Sequence, residues 1–471
     1  MSWQTITKEK KLAISETILS HVLTVKRLDA EYFDPIYLER DRILNSKKNT
    51  PITDYVNISD GNHLSISEYF TDDGDIPYYR GQDLKSIFIS ATSPMKISRE
   101  IYNRSWMKRS IFKPGDILLS IVGTIGNLSF VPDDLGEASG SCKIAILRPK
   151  QENFAKIGIA FLLCKYGQYQ LKRMTRGAVQ MGIILEDIPK IIVPMFSEEI
   201  TSVINGIVSL SLEIEKVSRK NYSEAERLIL EEINLAGYKA TEENVSIRNL
   251  TDCMVDNHLD AEYWQPEYDN VQDRIKQHRD GYETLDNLFA MSDKRVLIEP
   301  EKEYLYVELA DVNGPMGTID NLTTLKGKDL PSRGRMSLKK DDVIVSSLDG
   351  SLSKIAIVSS DRNNIVGSTG FFVLRQKEYE PEVALVLLKS EPIQKLLKRQ
   401  GQGTILTAIP KSSLSRVILP KLGKDVQIQI KELIIKSHKG AQEAKDLLEK
   451  AKRAVEIYIE EGEEKALSYI Q

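Results

Sequence analysis

Leu28-Asp29-Ala30-Glu31-Tyr32-Phe33-Asp34-Pro35 returns later in the chain as Leu259-Asp260-Ala261-Glu262-Tyr263-Trp264-Gln265-Pro266. The offset is 231 residues (259 minus 28) in a chain of 471. Other echoes follow in the same order. Arg109-Ser-Ile-Phe-Lys113-Pro-Gly-Asp116-Ile-Leu-Leu-Ser120 aligns with Arg335-Met-Ser-Leu-Lys339-Lys-Asp-Asp342-Val-Ile-Val-Ser346, at offset 226 (335 minus 109). Gly140-Ser141 and an apolar run to Arg148 align with Gly367-Ser368 and a run to Arg375. Gly177-Ala178 and an Ile-rich run to Pro194 align with Gly403-Thr404 and a run to Pro420. The small drift in offset is what loop insertions produce. The pattern predicts a tandem duplication of a half of roughly 225 residues, and a repeat outranks other fold signals.

Length suggests about three domains at ~150 residues each. An apolar content of 41 % with 28 % charge is that of a globular chain able to bury a sizeable core. The net charge of −4 gives no global sign of nucleic-acid binding, so any such signal must be local. Cys142, Cys164 and Cys253 lie far apart with no C-x-x-C, which predicts free thiols in a reducing compartment. The start of the chain lacks the apolar core of a signal peptide. The most apolar stretch, Ile157 to Cys164, falls short of the ~20 residues that cross a bilayer. These readings point to a cytoplasmic protein without a membrane partner.

Residues 8 to 26 read as a short helix, with Leu12, Ile14, Ile18 and Val22 near one face. Pro35 then ends or redirects an element. Residues 50 to 150 read as mainly β, with apolar runs Ile117–Val122 and Ile144–Leu147 between turn residues. A helix is predicted from Ile157 to Thr175 and a bent strand from Ile183 to Val193. From Ser197 to about Leu235 apolar residues recur at three- and four-residue steps among charges, predicting a long amphipathic helix with coiled-coil character. The second half repeats the plan: β-rich from 284 to 376, a helix from Val383 to Gln400 broken near Pro392, a strand over Ile405–Pro420, and a long helix from Asp425 to Glu461.

The expected fold class is α+β. Two tandem-repeated, β-rich globules (1–196 with the N-terminal helix, and 246–422) are separated and followed by long helices (197–245 and 423–471). A helix of about 38 residues rises roughly 57 Å. Packing the two as an antiparallel coiled coil, with pseudo-two-fold symmetry, is the simplest way to cover their apolar stripes.

No phosphate loop, kinase set or H-E-x-x-H is present, and His21, His63, His258, His278 and His438 show no paired spacing. Without Cys or His clusters a zinc site is not expected. Pro132-Asp133 with Glu137 lacks a following acidic-x-Lys and reads as a turn. Gly123-Thr-Ile-Gly126 reads as a hairpin turn, and no Asn-Pro-Pro-[Tyr/Phe] of an amino-methyltransferase occurs. The chain is expected to bind rather than to react.

Between Arg80 and Lys113 stand Arg80, Lys85, Lys96, Arg99, Arg104, Lys108, Arg109 and Lys113, opposed within the stretch only by Asp83 and Glu100. Tyr78, Tyr79, Tyr102, Trp106 and Phe112 are interleaved. At the matching place Lys326, Lys328, Arg333, Arg335, Lys339 and Lys340 face only Asp329. Two such stretches predict two phosphate-gripping surfaces; the plain alternative is a solvated face. Arg176 and Lys354 join the expected DNA-binding cations. Residues able to read base edges are Gln82, Asn103, Thr124, Asn127 and Gln180 in the first half, and Asn313, Asp349, Ser351, Gln402 and Thr404 in the second.

In this order and duplication, Lys113-Pro-Gly-Asp116-Ile-Leu-Leu-Ser120, Gly177-Ala-Val-Gln180 and Ile192-Val193-Pro194, with Lys339-Lys-Asp-Asp342-Val-Ile-Val-Ser346, Gly403-Thr404 and Ile418-Leu419-Pro420, resemble the specificity (S) subunit of type I restriction–modification systems. The resemblance covers nearly the whole chain. It departs at the helix entries, where Met195-Phe196-Ser197 and Lys421-Leu422-Gly423 replace a Pro-Pro and following Gln. It implies two target recognition domains reading a split sequence in double-stranded DNA. It further implies a helical ruler that also binds two methyltransferase (M) subunits, and restriction (R) subunits completing the assembly. S-adenosylmethionine, ATP and Mg are then expected on the partner subunits, with no cofactor and no chemistry in this chain. Rival readings are an S-like subunit serving a fused nuclease–methyltransferase, a coiled-coil scaffold without DNA affinity, and an RNA-binding protein, for which no RNP-type aromatic motif is found. The Leu-Asp-Ala-Glu-Tyr phrase reads as packing at the entry to each globule.

Overall fold

The computed structural model describes residues 14–471 except 72, 90–94, 178, 180, 237–244, 257, 321 and 404–406. The chain mixes helix and sheet and forms two compact units. Unit 1 comprises Met1–Glu215 together with Glu443–Gln471, and unit 2 is Lys216–Gln442. The division therefore falls inside each long helix. No described helix is long and apolar enough to cross a membrane.

In unit 1 the strands Val56–Asp60, Ile144–Pro149, Ile117–Ser120 and Leu128–Phe130 form a four-stranded antiparallel sheet in that spatial order. A second sheet places Ile76–Tyr79 between Met95–Ile97 and Ser139–Gly140, the latter parallel to it. Asn49–Pro51 pairs with Ile192–Pro194. In unit 2 the order Phe289–Ser292, Phe371–Gln376, Val343–Ser346, Ile355–Ile357 gives another antiparallel four-stranded sheet. Its second sheet runs Thr323–Lys326, Glu303–Val307, Ile365–Ser368, Gly334–Leu338, again with one parallel pairing, Leu305 with Ile365. Tyr282–Thr284 pairs with Ile418–Pro420.

All four residues of Ile117–Ser120 and of Val343–Ser346 are buried, so both faces of each strand are covered, which is why the runs are apolar up to their closing serines. One face packs on a broken helix. In unit 1 this is Phe154–Leu163 and Lys165–Met174, two helices parted at Cys164 rather than the single helix expected. In unit 2 it is Pro381–Lys389 and Glu391–Arg399, parted at Ser390 just before Pro392. Proline at the second position of a helix removes no needed donor, so it marks a start.

The long helices are Glu198–Glu232 and Lys424–Glu461. In unit 1 Ile200, Ile204 and Val208 join Ala451, Ala454 and Val455 in one core. There the Ser211 hydroxyl donates to Ala444 O at 2.7 Å, and in unit 2 the Ser218 hydroxyl donates to Ser437 O at 2.7 Å. Within unit 1 the Tyr458 hydroxyl donates to Met195 O at 2.9 Å, so there the segments after Met195 and before Tyr458 run antiparallel. Small residues at these contacts let the backbones approach, and each buried hydroxyl is satisfied.

Several local expectations change. Residues 14–18 are not helical and the first described helix is Leu19–Val25; Leu12 and the rest of 8–13 lie outside the described residues. Pro35 and Pro266 each begin a helix, Pro35–Asn45 and Pro266–Lys276. Ile183 to Val193 contains the 3-10 turn Leu185–Lys190, and only Ile192–Pro194 is strand. Likewise Lys411–Ser415 is helical and only Ile418–Pro420 is strand; Ile405 lies outside the described residues. Cys142, Cys164 and Cys253 are free thiols.

The echoed phrase is packing. Asp29 and Asp260 accept the backbone N–H of Tyr32 and Tyr263 at 3.2 and 2.9 Å, closing a tight turn. The tyrosine ring then underlies an arginine from the end of the broken helix: Arg173 sits 4.0 Å from the Tyr32 ring and Arg399 sits 4.3 Å from the Tyr263 ring. Phe33 and Trp264 stand edge-on to those rings at 5.1 and 5.0 Å. A buried guanidinium over a ring is a desolvated cation–π contact.

Candidate nucleic-acid interface

The motif Lys113-x-x-Asp116 and its echo build the support beneath each sheet edge. Asp116 is fully buried and accepts the Lys113 N–H at 2.7 Å and two donors from Arg148 at 2.8 and 2.7 Å. Asp342, also fully buried, accepts the Lys339 N–H at 3.0 Å and Arg375 Nε at 3.0 Å. The two repeated aspartates are therefore structural.

At one end of the unit 1 sheets several strand ends converge. Val56–Asp60, Ile76–Tyr79 and Ile117–Ser120 finish there, and Ile144–Pro149 starts there. Thr124 Oγ1 donates to Gly81 O at 2.9 Å and Asn127 Nδ2 to Leu84 O at 2.8 Å, tying the 121–127 turn to the 80–85 turn. Ile121 N–H donates to Lys143 O at 3.0 Å, and Val122 bridges Gly182. A Cβ on Gly61 would meet Ser141 O at 2.1 Å, so only glycine lets the chain after Asp60 lie against Gly140–Ser141. In unit 2 the Leu348–Ala408 and Gln402–Ala408 bridges tie the corresponding turns together.

The structure pairs many of the predicted cations with acids, some within the basic stretches and some distant from them in sequence. Arg80 pairs with Asp83, Arg99 with Glu137, Arg104 with Glu100, and Arg109 with Asp60. Arg176 pairs with Asp187 at 2.6 Å. Lys326 and Lys328 share Glu301 at 3.0 and 3.1 Å, and Lys340 pairs with Asp361 at 2.8 Å. Lys354 Nζ donates to Val312 O. The balance of charge counted along the stretches, Asp83 and Glu100 in one and Asp329 in the other, is thus corrected by Asp60, Glu137, Glu301 and Asp361.

Exposed cations without a carboxylate at ion-pair distance among the described residues remain. In unit 1 they include Lys85, Lys108, Lys113 and Lys143; in unit 2 they include Lys294, Arg295 and Arg333, with half-buried Arg335 beside them. The second group is a true cluster. Arg295 bridges Met336, Val296 N–H donates to Arg335 O at 2.8 Å, Ser337 N–H to Lys294 O at 2.9 Å, and Thr369 N–H to Arg333 O at 2.8 Å. Lys143, Lys294 and Arg295 were not singled out from sequence, because each lies far along the chain from the basic stretch it joins.

The interleaved aromatics are core, not a stacking platform. Tyr78, Tyr79, Tyr102 and Phe112 are buried, and Trp106 packs partly buried against them. Burial pushes the Tyr79 hydroxyl up to about 12 and raises that of Tyr78.

Among the base-reading candidates, Gln82 and Asn103 are exposed. Thr124 is exposed yet bonded to the Gly81 turn. Ser351 shares a 2.8 Å hydrogen bond with Ser346, as Thr124 does at 3.0 Å with Ser120. Asn313 Nδ2 donates to Asp320 at 3.0 Å, and the Asp349 N–H to Thr407 O at 3.0 Å. Gln402 is exposed, with Nε2 at 3.4 Å from His258 Nε2. Gln180 and Thr404 lie outside the described residues. Gly177 and Gly403, which open the two matching turns, share φ values of 115° and 116°, a backbone that favours glycine.

Glu232, His278 and Asp280 could together approach a metal ion, but Arg279 is already paired with Glu232 and lies 3.5 Å from Asp280.

No protein-family model matches the chain, and no curated protein matches it. Solved structures do. The S subunit of a type I restriction–modification system from M. genitalium is 12 % identical, with 88 % of this chain and 95 % of that chain covered and a TM-score of 0.40. The chain is similar to solved type I S subunits. The HsdS subunit from Thermoanaerobacter tengcongensis is 12 % identical over 88 % of this chain and 97 % of its own, at a TM-score of 0.29. A chain from a study of complex assembly and conformational transition in a type I R-M system is 12 % identical over 88 % and 98 %, at 0.30.

Proposed function

We propose that this chain is the specificity subunit of a type I restriction–modification complex, built by tandem duplication, with each unit reading one half of a bipartite double-stranded DNA target. The observation that supports it best is the repetition of one frame with different edges. Both units carry the same four-strand order, the same buried Asp–Arg support and the same broken helix, while the charged residues on their turns differ. A shared frame with divergent turns is what two readers of different half-sites require. Phosphate contacts position such a reader and base contacts give it sequence preference.

On this reading the antiparallel helices set the spacing between half-sites and bind two methyltransferase subunits, and restriction subunits join the complex in the cytoplasm. S-adenosylmethionine, ATP and Mg belong to those partners. The deciding experiment is a methylated-adenine map of DNA from cells expressing this chain with its neighbouring methyltransferase. A bipartite motif that vanishes when this chain is omitted is the expected result. No motif alongside an active methyltransferase would replace this reading with that of a protein scaffold. A map that persists with a partner carrying both nuclease and methyltransferase would assign the chain to another restriction class.

A further inference from the structure

Asp60 ends the strand Val56–Asp60 and is only 5 % exposed. Its carboxylate holds two side chains from different parts of the chain. Oδ2 meets Nε2 of His63, and Oδ1 forms an ion pair with Nη2 of Arg109, off the hydrogen-bonding direction. Both held groups face solvent: the Arg109 side chain is 58 % exposed and that of His63 is 63 % exposed. A buried carboxylate thus fixes two exposed donors at the converging strand ends of unit 1.

The base of this arrangement is rigid. Asn62 N–H donates to Gly140 O at 2.8 Å, Cys142 N–H to Asn62 O at 2.9 Å, and Asn62 Nδ2 to Leu64 O at 3.0 Å. Next to Arg109, Ser110 Oγ lies 2.8 Å from Ser139 Oγ. His63 occupies the second carboxylate oxygen, so Asp60 has no free edge toward which to swing.

A cation whose task is to grip phosphate gains from being unpaired, as Lys85 and Lys108 are. Arg109 is matched by a buried acid, which cancels its long-range pull and keeps its directional donors. A guanidinium has five N–H groups in a planar fork, so one contact to Asp60 leaves enough for a bidentate edge. Guanine alone offers two acceptors, O6 and N7, side by side in the major groove. We propose that Arg109, oriented by Asp60, reads a guanine in the half-site served by unit 1; this rests on the specificity reading above.

Unit 2 lacks the device. Val56-Asn-Ile-Ser-Asp60 corresponds to Phe289-Ala-Met-Ser-Asp293, but the Asp293 side chain is 72 % exposed and pairs with Lys411. This guanine contact therefore belongs to the half-site served by unit 1.

The test compares methylated-adenine maps of the full complex carrying wild-type chain, Arg109→Lys, and Asp60→Asn. Lysine keeps the charge and loses the fork. The expected result is a wild-type bipartite motif with a guanine in one half, and degeneracy at that one position in both variants. Discrimination there should fall roughly 5- to 150-fold, with the other half-site read as before. The intact half doubles as the folding control, and Arg109→Lys changes an exposed side chain should Asp60→Asn disturb the strand. An unchanged motif with Arg109→Lys, or equal weakening of both halves, overturns the guanine assignment while leaving the specificity reading standing. A wild-type map with no motif overturns both.

Discussion

The turn after Tyr79 and the turn after Val307 have one backbone and opposite charges. In Arg80-Gly-Gln-Asp83 the Asp83 carboxylate accepts the Arg80 N–H at 2.8 Å; in Glu308-Leu-Ala-Asp311 the Asp311 carboxylate accepts the Glu308 N–H at 2.8 Å. In both turns the aspartate satisfies the same backbone N–H, whichever charge the first residue carries. A second contrast lies inside. Leu163 ends the first part of the broken helix in unit 1, whereas Lys389 occupies that place in unit 2. Lys389 reaches Pro315 O at 2.7 Å and lies 4.6 Å from the Tyr222 ring. The frame is held constant by buried acids and apolar cores, and variation is allowed wherever a side chain is not part of that frame.

The largest expected effect tests the constancy of the frame. Arg148→Ala leaves Asp116 buried and unpaired, and Arg375→Ala does the same to Asp342. Each should destabilise its own unit by about 3–5 kcal/mol, with the greater loss in unit 1, where the two contacts are shorter (2.8 and 2.7 Å, against 3.0 and 3.4 Å in unit 2). Hydrogen exchange read separately in the two sheets checks this; loss of protection in both units from either variant would contradict two self-supporting frames.

Next comes the internal difference. Burial pushes the Lys389 ammonium down to about 8, partly offset by Glu226, whose own carboxyl burial holds above its ordinary range. Burial also lowers His438, beside Met316 O, which favours its neutral form. A lysine with a depressed folded pKa penalises folding below about 8, and the penalty is relieved as pH rises from there toward the unfolded value of 10.5. Lys389→Leu, which copies unit 1, should raise stability at pH 7 by about 1–3 kcal/mol. It should also abolish the wild-type gain between about pH 8 and 10.5. Denaturant midpoints of both proteins across that range decide it; parallel pH profiles would mean Lys389 is not buried as charge.

The smallest effect separates paired from unpaired cations. Removing Arg333 or Arg335 should lower the salt slope of DNA binding by about one each. Arg104→Ala, which removes a cation already matched by Glu100, should change the slope by clearly less. Equal changes from all three would erase the distinction between the two classes.

Periodicity and repetition made the frame legible. The stripes of Ile200, Ile204 and Val208 and of Ile430 and Ile434 are buried as their spacing requires. The broken helix near Pro392 was visible because proline announces it; the break at Cys164 has no such marker. Closing strands shrank to three residues because their flanks form 3-10 or helical turns, which share the apolar content of strands. The interface was less legible. Glu137, Glu301 and Asp361 neutralise cations distant from them in sequence, and only the fold brings them together. The direction in which Tyr79 and Phe112 face was not legible, because a basic, aromatic-rich run has the same composition whether its rings face in or out.

The last 29 residues of the chain (443 to 471) complete unit 1, not unit 2. Ala451, Val455 and Ala466 enter its core, Lys165 N–H donates to Glu456 at 3.0 Å, and the Tyr166 hydroxyl to Glu460 at 3.0 Å. Growing chains ordinarily fold from the N-terminal domain onward. Here the ribosome delivers all of Lys216–Gln442 before it delivers the helix that closes the first unit. The half made first is the half finished last, and until then its apolar seam is open to whatever in the cell protects nascent chains.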